Sequence, residues 1–103
     1  LPLPEVFAGC TGRFSAELEH AWLLRDPKAD LLEARRARFE QMLAAISLAD
    51  RRSHLLAHRI SAKIVHAQIL STAQFSRDPH RARWARRRAD AEIRYCQSFL
   101  LES

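Results

Sequence analysis

Two cysteines, Cys10 and Cys96, stand near opposite ends of the chain, and each falls on the apolar stripe of a segment with helical periodicity. The chemistry open to such a pair is oxidation to a disulfide. In a bundle whose helices run up, down, up and down, the start of the first helix and the end of the fourth lie together, so the placement predicts a Cys10 to Cys96 bond. A link closing so long a loop stabilises by about 4–5 kcal/mol through loop-closure entropy. No Cys-x-x-Cys occurs, so short-spaced redox and zinc motifs are unsupported. A disulfide implies an oxidising compartment. Export, to a periplasm or as a secreted protein, is the expected localisation, with a reduced cytoplasmic protein as the alternative.

Histidines offer a metal chemistry. His54 and His58, four residues apart, share one helix face, and Glu17-x-x-His20 has the form used in di-iron bundles. The first lacks a third ligand, although His66 follows on the same helix, and the second lacks its partner motif. These residues therefore read as surface or interface histidines, and neither a metal nor a cofactor is expected. Acid–base and nucleophilic chemistry have no support either: there is no Gly-x-Ser-x-Gly, phosphate loop or paired-carboxylate motif. No enzyme activity and no small-molecule substrate are expected.

The last cluster is basic. Arg77, Arg81, Trp84, Arg88 and Tyr95 line one flank of the final helical segment, and Arg83, Arg87 and Arg94 lie on its outer face with Asp90. Aromatic residues among arginines suit stacking on bases or docking on an acidic surface. Glu17, Glu33 and Glu40 on other segments offer internal partners, and a solvated, partly paired face is the preferred reading. No helix-turn-helix spacing is present, so DNA binding would rest on charge alone.

The elements that must position these groups follow from composition and period. With 103 residues, 2 Gly and 4 Pro, the chain is expected to be a single helical domain over 1–103. A hydrophobic content of 48% argues against disorder, and no apolar run reaches the roughly 20 residues of a membrane span. The net charge of +5 is carried by arginine, all but two of the 17 basic residues, with lysine only at Lys28 and Lys63.

Four helices are predicted, at about 5–25, 27–46, 48–76 and 79–101. Their inward stripes are Phe7, Cys10, Phe14, Leu18, Ala21 and Trp22; Leu32, Phe39, Met42, Leu43 and Ile46; Leu56, Ile60, Ile64, Ala67, Ser71 and Phe75; and Ala82, Ala85, Ala89, Ile93, Cys96 and Leu100. Asp26-Pro27 and Asp78-Pro79 each supply an N-cap and a first-turn proline. Ser47-Leu48-Ala49-Asp50 resembles a capping box, and a break there is favoured over one helix from Pro27 to Ser76 about 75 Å long. Gly9 and Gly12 weaken the first helix by up to about 1 kcal/mol each relative to Ala and mark either close packing or a later helix start. The expected fold is all-α, an antiparallel up-down four-helix bundle with short connections.

Helix three carries a second apolar face, Leu55, Ala62, Val65 and Ile69 joined by His58, which a bundle corner does not need. A protein interface is the reading that follows. The expected function is a small non-enzymatic interaction module, as an exported accessory subunit of a larger assembly or as a homodimer. A cytosolic nucleic-acid-binding protein using the arginine-rich helix is the second reading, and a metal-binding bundle at His54 and His58 the third.

Overall fold

A computed structural model describes residues 2–46 and 49–100, and within them the chain is entirely helical and irregular, with no strand. Helix α1 is Leu3–Leu23, α2 is Ala29–Ile46, α3 is Arg52–Phe75 and α4 is Pro79–Gln97, with a single 3-10 turn at Ala49–Arg51 before α3.

The helix ends follow from local chemistry. After α1 the chain turns through Arg25 at φ 53, in the left-handed region. There the N–H of Arg25 donates to the Trp22 carbonyl at 3.2 Å and that of Asp26 to the Ala21 carbonyl at 2.8 Å. Asp26 Oδ1 then accepts from the Lys28 N–H at 2.9 Å. Asp26 thus shapes the turn, and α2 begins two residues later than the Asp-Pro signal predicts. Asp78 caps α4, its side chain accepting from the N–H groups of His80 and Arg81, with Pro79 as the first helical residue. Between α2 and α3 the helix is interrupted; Ser47 and Leu48, half of the expected capping box, lie outside the described residues.

Helix α1 packs against each of the other three, α3 also packs against α4, and α2 makes no close backbone approach to α3 or α4 among the described residues. Consequently α1 is buried almost all round, from Phe7 to Ala21. Its bulky side carries Phe7, Cys10 and Phe14, which join Phe39, Cys96 and Leu100 in the main core cluster. Phe14 stacks on Phe39 with centroids 5.6 Å apart, and Phe7 meets Phe99 edge-on at 5.8 Å. Its small side faces α3. A Cβ on Gly12 would lie 3.0 Å from the Lys63 backbone nitrogen and closer still to the Arg59 carbonyl oxygen, so this crossing requires glycine.

Carboxylate contacts mark the register along α1 and α3. Glu5 meets Arg51 and His54, Glu19 meets Lys63 at 2.6 Å and Glu17 meets His66 at 2.7 Å. From Glu5, beside Arg51 and His54, to Glu17 and Glu19, beside His66 and Lys63, the two segments run in the same sense. Between α1 and α4 the sense is opposite, as Cys10 lies beside Cys96 and Arg13 beside Glu92.

Helix α3 corrects the expectation about its faces. Leu56, Ile60, Ile64 and Phe75, predicted to point inward, are about half exposed, whereas Leu55, His66, Leu70 and Ala73 are buried. The cause lies in the close approach at Gly12, which turns the row bearing Arg59 and Lys63 toward α1. Their charges are then met at the flanks by Glu40 and Glu19. Trp22, placed on the first stripe, is also exposed, and of the α2 stripe only Phe39 is fully buried, the close backbone approach of α2 being to α1 among the described residues.

Candidate functional site

Cys10 and Cys96 are fully buried and stand at disulfide distance, their Cα atoms 5.6 Å apart. Arg13 of α1 reaches the same spot, its Nη1 lying 3.9 Å from Cys96 Sγ. No helix among the described residues is long and apolar enough to cross a membrane.

The histidines separate into different roles. His54 sits on Glu5, next to the Arg51–Glu5 pair, and its ring centroid is 6.5 Å from that of His58. Glu17 pairs with His66 rather than with His20, four helical turns of α3 having brought His66 beside it. His66 is nearly fully buried. This pair, the polar contact most deeply set between α1 and α3, has no local signature, since its members are 49 residues apart. Among the described residues no three His, Cys, Asp or Glu side chains are grouped to hold a metal ion.

Beside that pair, a groove of about 350 Å³ opens between α3 and α4, with α1 beneath. Ala62, Val65 and Ile69 form its apolar wall, and Arg13, Arg88 and Glu92 its charged side. Glu92 is held by two guanidinium groups, Arg88 at 3.0 Å and Arg13 at 3.5 Å. Of the residues expected to form one open interface, Leu55 is buried and Ala62 and Ile69 are half-buried, while His58 and Val65 remain exposed at the rim. The five residues thus do not make a single flat face, because α3 turns most of them toward its neighbours.

The outer side of α4 is basic, with Arg77, Arg81, Arg83, Arg87, Arg88 and Arg94 all exposed, as are Trp84 and Tyr95. Arg88 pairs with Glu92, Arg83 meets His80 Nδ1 at 3.0 Å, and Arg86 donates to the Ala73 carbonyl at 3.1 Å. Arg77, Arg81, Arg87 and Arg94 have no ion-pair partner among the described residues. Two of the carboxylates expected to serve them are engaged elsewhere: Glu17 by His66, Glu40 by Arg36 and Arg59. Tyr95 packs edge-on against Phe99 at 5.3 Å, which ties it to the core aromatics.

The described residues form an all-helical fold with a mixed groove between α3 and α4 and a strongly basic helix α4. No protein-family model, no curated protein and no solved structure matches the chain.

Proposed function

We propose that this chain is a small non-enzymatic interaction module acting through the outer face of α3, with self-association as its simplest form. One observation carries the reading. Ala57, Ile60, Ile64, Ala67, Ser71 and Gln74 recur at spacings of three and four, all of them exposed, and Leu56 and Phe75 flank them. Such spacing is that of a helix–helix seam. From Ser53 to Phe75 the only Lys or Arg residues are Arg59 and Lys63, each paired with a glutamate, and there is no Asp or Glu. For a chain of net charge +5 this face lets a second copy approach without facing like charge. Replacing Ile60 and Ile64 together by Glu is expected to convert an associated species to monomer in sedimentation while the helical signal persists. A wild-type chain that sediments as a monomer at all concentrations overturns self-association.

The exported, disulfide-linked form of this up-down bundle is part of the same reading, supported by the placement of Cys10 and Cys96. Mass spectrometry of protein taken from its native compartment, alkylated without reduction, should find no free thiol; two alkylated cysteines overturn it.

A second reading, binding of nucleic acid, is favoured by Arg77, Arg81, Arg87 and Arg94 standing without carboxylate partners among the described residues, on a segment that also exposes Trp84. It requires affinity that falls steeply with salt and that Arg83, Arg87 and Arg94 replaced together would weaken for all sequences alike. No binding to DNA or RNA at about 50 mM salt, where counterion release favours contact most, removes it.

A further inference from the structure

We infer that the groove between α3 and α4 is a binding site for a small organic carboxylate with an apolar body. This site is separate from the seam on the outer face of α3, since it is lined by the opposite shoulder of that helix.

Its shape and chemistry both point this way. At about 350 Å³ the groove falls within the size range of small-ligand sites, near its lower end. One wall is apolar, built from Ala62, Val65 and Ile69, and it faces two arginines and a carboxylate across the groove. The charged groups facing the space are Arg13 from α1 and Arg88 and Glu92 from α4; the imidazoles of His58 and His66 on α3 also line it, the latter's Nε2 held by Glu17. Two guanidinium groups thus share a single carboxylate, leaving one positive charge in excess among these three side chains.

The protein's own Glu92 shows how a carboxylate is received there, lying 3.0 Å from Arg88 and 3.5 Å from Arg13. A guanidinium has five N–H donors, more than one carboxylate oxygen can use, so each arginine keeps donors for a second acceptor. The side chain of Arg88 is 58% exposed and free to re-aim, while that of Arg13, at 25%, is fixed deeper in the groove. The ligand's head then rests on Arg13 and Arg88, and its body lies along Val65 and Ile69.

The probe is 4-butylbenzoate, titrated into the full oxidised chain and followed by amide chemical shifts, with 4-butylbenzyl alcohol and inorganic phosphate as comparisons. The acid is expected to saturate with Kd below about 1 mM, moving the signals of Ala62, Val65 and Ile69, and the alcohol to bind at least about tenfold more weakly. Arg88→Gln, a change at an exposed side chain that leaves the core alone, should weaken the acid about fivefold or more, as expected for loss of a charge-assisted hydrogen bond. Arg83→Gln on the outer face should leave affinity unchanged. Equal binding of acid and alcohol, equal effects of the two arginine variants, phosphate binding as tightly as the acid, or no saturation at all would each overturn the assignment. The Ile60→Glu, Ile64→Glu chain is expected to bind the acid as the wild type does, which separates this site from the seam.

Discussion

Gly12 of α1 lies against the backbone of α3 so closely that a Cβ would stand 3.0 Å from the Lys63 nitrogen and nearer still to the Arg59 carbonyl. Backbone atoms cannot swing aside as side chains do, so Gly12→Ala must push the two helices apart, and overpacking of this kind costs about 1–3 kcal/mol. Gly9 has the contrary setting. There a Cβ meets only the far end of Arg13 and the His58 ring, at 3.2 and 3.5 Å. Gly9→Ala should therefore be neutral or stabilising by up to about 1 kcal/mol from helix propensity. Urea unfolding of the two variants checks both signs, and equal losses would show that the α1–α3 crossing is not set by Gly12.

Removing the Cys10 to Cys96 link, which lies within the main core cluster, should cost more than loss of any one ion pair. The separation of 86 residues corresponds to about 4–5 kcal/mol of loop-closure entropy, reduced by any order in the unfolded chain. The variant Cys10→Ala, Cys96→Ala should lower the urea midpoint by that measure with little change in helical signal in the absence of denaturant. A midpoint insensitive both to reductant and to this variant would place the stability of the domain in α1 packing alone.

Arg25 offers a gain. It adopts φ 53, a conformation costing a non-glycine residue about 1–2 kcal/mol, and its side chain is exposed. Arg25→Gly should raise stability, by about 1 kcal/mol after the greater freedom of glycine in the unfolded state is counted. The thermal midpoint reads this directly, and a fall on substitution would mean that the arginine side chain contributes to the turn.

The helices themselves were legible because their punctuation is local: Asp78 and Pro79 start α4 where the spacing predicts, and Cys10 and Cys96 fall together because each lies on a periodic stripe. The orientation of α3 was not legible. Judged by hydrophobicity, Leu56, Ile60 and Ile64 make the better inward face, yet the buried residues are Leu55, His66, Leu70 and Ala73, with Arg59 and Lys63 half-buried beside them. What decides between the faces is the low profile of Gly12 together with carboxylates on other helices that receive those charges. Exposed pairs such as Glu19–Lys63 contribute only about 0–1 kcal/mol each. Their effect is to make burial of that row tolerable, and a helical wheel drawn for α3 alone contains none of this information. The groove escaped for the same reason, since Arg13, His66 and Glu92 come from three helices and share no spacing.

The Glu17–His66 contact turns this account of α3 into a measurement. His66 is nearly fully buried and its Nε2 lies 2.7 Å from Glu17, the more exposed partner. Glu17→Ala strands a buried ring nitrogen and should cost about 1–3 kcal/mol, the penalty for an unsatisfied buried polar group. Glu17→Gln keeps an amide oxygen for the ring N–H and should cost about 1 kcal/mol or less, if the hydrogen bond rather than the charge is what holds His66 inward. Adding His66→Leu to Glu17→Ala removes the stranded group, and the double variant should be more stable than the sum of the two single losses predicts. Urea unfolding of the four chains gives the coupling. A coupling near zero would mean that His66 is held inward by packing alone and that Glu17 does not select which face of α3 is buried.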